Sequence, residues 1–94
     1  MKLDRSEVLR RANQHVSVDR AATHGSAESN FESIALLWSW WLDHKVTAHD
    51  VAMMMGLFKD ARVKSNPAHA DSYEDGCGYR AIAAELGVAP EDDL

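Results

Sequence analysis

Apolar residues recur at helical spacing in four stretches of the chain and nowhere alternate in the two-residue rhythm of a half-buried strand. In the first stretch, Val8, Leu9, Ala12 and Val16 follow Asp4-Arg5-Ser6-Glu7, which has the form of a capping box and predicts a helix from about Arg5 to Asp19. Thr23-His24-Gly25-Ser26 breaks it. Ser26 or Ser29 then caps a second helix, with Phe31, Ile34, Ala35, Trp38, Trp41 and Leu42 as its core-facing stripe. Thr47-x-x-Asp50 starts a third, with Val51, Met54, Met55, Phe58 and Ala61 on one face, running to about Lys64. Ser65-Asn66-Pro67 stops it, because the residue before a proline is pushed out of the helical region. Asp71 or Ser72 caps a fourth helix carrying Tyr73, Tyr79, Ile82, Ala83 and Leu86, and Gly87 closes it. The expected fold is all-α, a four-helix bundle forming one domain over residues 1–88, with an acidic flexible tail over 89–94.

The second helix is more than amphipathic. Leu36, Leu37 and Trp40 fall off its stripe, and Glu32 is the only charge between Phe31 and Leu42. A helix apolar nearly all round has to be buried nearly all round. A domain this small buries only about 60% of the surface its unfolded chain exposes, too little to enclose one helix completely. Part of the second helix is therefore expected to meet a second subunit or to line a ligand cleft.

Composition narrows the function classes. With 46% hydrophobic and 27% charged residues the chain collapses around a core. Ten basic against fifteen acidic side chains leave a charge of −5, which disfavours general binding to a nucleic-acid polymer. Residues 1–47 balance six basic against six acidic groups, while residues 48–94 carry four against nine. Cys77 stands alone, so neither an internal disulfide nor a cysteine zinc cluster is expected. The N-terminal segment is charged where a signal peptide is apolar, and Ile34 to Leu42 is too short to span a bilayer, so the expected location is the cytoplasm, away from the membrane.

Several polar residues stand out for chemistry, each with a plain alternative. Glu28 and Glu32, and Asp71 and Asp75, are pairs four residues apart near helix starts; each pair either solvates a first turn or joins the other in holding a hard divalent cation such as Mg²⁺. Lys59 and Arg62 either complement the end of the third helix or clamp a phosphate, with Arg62 giving bidentate contacts. Gly76 and Gly78 cost helix stability, which points to a close neighbour, either a packed helix or a nucleotide base. Tyr79 is a core tyrosine or a base-stacking wall, and His24 is a loop residue placed to touch substrate. The five histidines form no i, i+4 pair on a helix, Cys77 has no activating neighbour in sequence, and Met53, Met54 and Met55 read as core filler.

The stretches His24-Gly25, Asn30-Phe31-Glu32, Ile34-Ala35-Leu36-Leu37-Trp38, Thr47-Ala48-His49-Asp50-Val51-Ala52, Leu57-Phe58-Lys59, Ala61-Arg62, Asn66-Pro67-Ala68-His69, Asp71-Ser72, Asp75 and Gly78-Tyr79 resemble a family of small phage and prophage proteins over about residues 15–86. That family is similar in turn to the MazG-like all-α nucleoside triphosphate pyrophosphohydrolases. The resemblance implies a homodimer or higher homo-oligomer, a nucleotide ligand, Mg²⁺ as cofactor and, for a phage-encoded chain, the host cytoplasm. It implies Glu28, Glu32, Asp50, Asp71 and Asp75 as metal ligands, Glu32 and Asp75 as catalytic carboxylates, and His24, Asn30, Lys59, Arg62 and Tyr79 as substrate contacts. The MazG-type pattern is Glu-Glu-x-x-Glu followed by Glu-x-x-Asp; here Glu28-Ser29-Asn30-Phe31-Glu32 is spaced differently and Thr47 stands in the place of a glutamate. The expectations are thus a nucleotide-binding protein that also hydrolyses (d)NTPs, a non-catalytic protein sequestering a nucleotide such as a host defence signal, or a protein-interaction module built on the tryptophan-rich helix.

Overall fold

Local side chains set the helix starts. In a computed structural model that describes residues 2–16 and 27–88, the Asp4 carboxylate accepts the Glu7 backbone N–H at 2.8 Å and α1 runs Arg5–Gln14. Residues 15–16 continue it as a π turn, while the expected continuation over 17–19, the break at 23–26 and the tail over 89–94 lie outside the described residues. Glu7 does not close the capping box. Its carboxylate takes Arg10 at 2.7 and 2.9 Å and Arg11 at 3.0 Å, and these hydrogen bonds hold its pKa down to about 2 from an ordinary 4.5.

Helix α2 is Ala27–Leu42, so Ser29 lies inside its first turns and is not its cap; the Ser33 hydroxyl donates to the Ser29 carbonyl at 3.3 Å. Helix α3, Ala48–Ser65, opens on a complete capping box: Asp50 N–H donates to Thr47 Oγ1 at 3.1 Å, and Thr47 N–H donates to Asp50 Oδ2 at 2.9 Å. It ends at Asn66, whose N–H donates to the Arg62 carbonyl at 2.8 Å. Helix α4, Ala70–Gly87, starts from His69, ahead of the expected Asp71 or Ser72. Ser72 instead is buried, with Oγ 3.1 Å from His69 Nδ1. Among the described residues there are four helices and no strand, so the all-α expectation holds.

The most extensive pairing is α3 with α4, two helices joined by the turn at residues 66–69; α1 lies on α4 and α2 mainly on α3. The core is Phe31 and Ala35 from α2, Val46 from the connection, Val51 and Ala52 from α3, and Ile82 and Ala83 from α4. Ile34, Trp38, Met55, Tyr79 and Leu86 pack around it.

Two helix faces differ from the expected ones. On α3 the buried positions are Val51, Ala52 and Gly56, while Met54, Phe58 and Ala61 are exposed. The small residues win because they let α3 approach α4 closely, and the bulky ones are turned outward. On α2, Trp41 and Leu42 are exposed although they continue the apolar stripe. The chain turns back one turn earlier: Val46 N–H donates to Ser39 Oγ at 2.8 Å, Ser39 Oγ donates to the Val46 carbonyl at 3.1 Å, and Asp43 adopts φ 52°. The last turn of α2 therefore overhangs the core. Gly76 and Gly78 are buried against packed neighbours: a Cβ on Gly76 would sit 3.8 Å from Lys59 Cβ, and one on Gly78 would sit 2.9 Å from Val16 Cγ1. Tyr73 is exposed and donates its hydroxyl to the Pro67 carbonyl at 2.8 Å.

Candidate functional site: the seam between α3 and α4

The turn at residues 66–69 folds α4 back along α3 and sets Lys59 opposite Asp75. Lys59 Nζ lies 3.0 Å from Asp75 Oδ2, with the lysine side chain only 20% exposed and the carboxylate 34%. Gly76 lies beside the pair, where a Cβ would sit 3.8 Å from Lys59 Cβ, and Gly56 faces the Arg80 side chain. One turn towards the hairpin end, the Arg62 guanidinium lies 4.9 Å from the centroid of the Phe58 ring, a cation–π contact; Lys59 Nζ is 5.7 Å from the same ring.

Arg62 also stands at an open cleft of about 500 Å³ between the end of α3 and the start of α4. Phe58, Ser65, Asn66, His69 and Ser72 line it with Arg62. The arrangement offers an aromatic wall, a guanidinium whose planar fork suits a phosphate, and hydroxyl, amide and imidazole groups within the same cleft. Lys59 and Arg62, read from the sequence as one clamp, divide the work: Asp75 neutralises Lys59, and Arg62 faces the cleft.

The carboxylates named as metal ligands are spread over the molecule. Glu28 and Glu32 are exposed on α2, and Asp71 is exposed in the first turn of α4, one turn before Asp75 on the same face. Asp50 is spent on its capping box, and hydrogen bonds from the Thr47 backbone and then its side chain hold its pKa below the ordinary carboxylate value. Among the described residues no three His, Cys, Asp or Glu side chains gather into a group able to hold a metal ion. Within the described residues the carboxylates named for Mg²⁺ do not converge on one point. The expected catalytic carboxylates follow the same division, Glu32 exposed on α2 and Asp75 held by Lys59. Tyr79 stacks on Phe31 with ring centroids 6.1 Å apart, joining α4 to α2 beside the core. Asn30 is half-buried on α2, and His24 lies outside the described residues.

One ionic feature was not singled out from the sequence. Glu74 is 2% exposed, with Arg11 Nη1 3.5 Å from one carboxylate oxygen and His15 Nε2 3.4 Å from the other. It ties α1 to α4. A signal existed, because Glu74 stands four and eight residues before the buried Gly78 and Ile82 and so shares their face. Arg80 makes a further cross-helix pair, to Asp60 at 2.7 Å.

No described helix is long and apolar enough to cross a membrane. The chain is 39% identical over 83 residues to the "Gene 55 protein" of Mycobacterium phage D29, covering 88% of this chain and 55% of the relative. It is 36% identical over 87 residues to the "Gene 55 protein" of Mycobacterium phage L5, covering 92% of this chain and 55% of that protein. The chain thus spans about half the length of the curated relatives it matches. No solved structure matches it. Residues 7–87 match the family described as "Domain of unknown function (DUF6378)", and with homologues among phage proteins the chain belongs to that family.

Proposed function

We propose that the protein binds a nucleotide at the Arg62 end of the α3–α4 seam, and that it does so as an assembly of identical chains. The observation that carries the reading is the open cleft that the Arg62 guanidinium, resting on Phe58, lines together with Ser65, Asn66 and His69. In this reading Arg62 holds a phosphate by bidentate charge-assisted hydrogen bonds, and the polar cleft groups take the remaining oxygens. The ion pair with Asp75 leaves Lys59 as a positioning residue that fixes α3 against α4.

The MazG-like pyrophosphohydrolases are the functional frame for a nucleotide ligand. Their chemistry needs Mg²⁺ on clustered carboxylates, and the dispersal of the carboxylates among the described residues favours binding without turnover. Sequestration of a signalling nucleotide is the form that such binding takes. A second reading, a protein-interaction module, draws on the outer face of α2, where Leu36, Leu37, Trp40 and Trp41 are exposed.

The test is thermal unfolding against a panel of nucleoside mono- and triphosphates and cyclic nucleotides, with and without Mg²⁺. A ligand at a hundredfold excess over its Kd adds about 2.7 kcal/mol, on the order of 10 °C for a domain of this size. The expected result is a metal-independent rise that Arg62→Ala abolishes. A rise that needs Mg²⁺ and a triphosphate supports the hydrolase frame instead, and no rise with any nucleotide supports the interaction module.

A further inference from the structure

We infer that the outer face of α2 is covered by α2 of a second copy of this chain, packed antiparallel about a two-fold axis near Leu36 and Leu37. The inference deepens the assembly half of the reading above and is independent of the nucleotide half.

The area is of the right size. Leu36 is 73% exposed, Leu37 65%, Trp40 76% and Trp41 78%. These four side chains offer on the order of 600 Å² per chain, with the tryptophans supplying most of it. That is the greater part of the ~800 Å² per partner buried in a standard-sized interface. No charged side chain interrupts α2 from Ser33 to Leu42, so none lies among the four exposed apolar side chains.

The pattern of bulk along the helix selects the partner. Ser29 and Ser33 lie on the same side as Leu36 and Trp40, one and two turns towards the N-terminus. The Ser33 hydroxyl is already satisfied by the Ser29 carbonyl at 3.3 Å, so a ring laid over it leaves no orphaned donor. With the axis between Leu36 and Leu37, Trp40 of each chain falls over Ser33 of the other and the leucines meet in the middle. A parallel pairing would stack tryptophans at one end, leave serines facing each other at the other, and set Glu28 against Glu28. A closed two-fold dimer needs a face complementary to itself when reversed, and α2 has that property.

The test is light scattering on the 94-residue chain, with Trp40→Glu as the perturbation. Trp40 contributes nothing to the core of a single chain, so the variant keeps its fold, checked by circular dichroism. The expected masses are two chains for the wild type and one for Trp40→Glu. Disulfide trapping then reads the register in a Cys77→Ser background. Leu36→Cys cross-links on oxidation, whereas the two copies of Ser29→Cys stand roughly 20 Å apart along the axis and do not. A wild-type mass of one chain, as when a foreign protein or another segment of a longer chain covers the face, overturns the inference; so does efficient cross-linking through Ser29→Cys. Neither result alters the nucleotide panel, so the two halves of the reading fail separately.

Discussion

Alanine at the two buried glycines of α4 tests how its neighbours press on it. In a helix interior, glycine is less favourable than alanine by about 0.8–1 kcal/mol, so each substitution begins with that gain. At Gly76 the new Cβ meets Arg80 Nη1 at 3.3 Å and Lys59 Cβ at 3.8 Å. The Arg80 side chain is half exposed and held by Asp60, and its guanidinium can shift by a few tenths of an ångström, so Gly76→Ala keeps most of the gain. At Gly78 the new Cβ lies 2.9 Å from Val16 Cγ1, closer than such atoms pack. Valine has one strongly preferred rotamer in a helix and cannot swing aside, so the end of α1 has to move. Overpacking of that kind costs about 1–3 kcal/mol, which cancels the gain and leaves a net loss of up to about 2 kcal/mol. At about 4–8 °C per kcal/mol, Gly78→Ala melts lower than the wild type by up to roughly 10–15 °C, while Gly76→Ala melts a few degrees higher. Far-UV circular dichroism melts measure both. A Gly78→Ala protein stabilised as much as Gly76→Ala refutes the contact between Val16 and α4.

Other expectations follow from the ion pairs. Glu74→Ala is expected to cost about 1–3 kcal/mol through the vacated volume and the lost tether; Glu74→Met, which keeps the volume and removes a buried charge, costs less than half of that. Equal losses in chemical denaturation would show that charge, not volume, dominates there. A double-mutant cycle on Lys59→Met and Asp75→Asn returns a coupling of about 0.5–1 kcal/mol, modest because both groups are partly solvated, and zero coupling contradicts the pair. The depressed pKa of Glu7 gives a contribution that is complete above its ordinary 4.5 and is lost as pH falls towards about 2. Stability measured down that window declines more steeply in the wild type than in Glu7→Gln, and parallel profiles would rule out the Arg10 and Arg11 contacts.

What the sequence makes legible is what depends on near neighbours. Thr47 and Asp50 announce their capping box because both partners lie within one turn, and Asn66-Pro67 stops α3 by local sterics. The face of α3 is not legible in the same way, because a count of large apolar residues favours Met54 and Phe58 while close approach to α4 is governed by Ala52 and Gly56. At the site, Lys59, Arg62 and Asp75 are visible as charges. Their division into a neutralised pair and a cleft-facing cation depends on the register that the turn at 66–69 imposes. Glu74 is hidden further, since Arg11 lies 63 residues away in the chain. The exposed face of α2 is foreshadowed by a helix with more apolar surface than so small a domain can cover.

The central claim is that a phosphorylated ligand sits at the α3–α4 corner, and an amide chemical-shift titration tests it most directly. Uniformly ¹⁵N-labelled protein is titrated with the nucleotide giving the largest thermal shift, in wild type and in Arg62→Ala. The account predicts perturbations concentrated at residues 58–62 and 66–75 that disappear in the variant. Perturbations confined to α2, or unchanged by loss of Arg62, would contradict it.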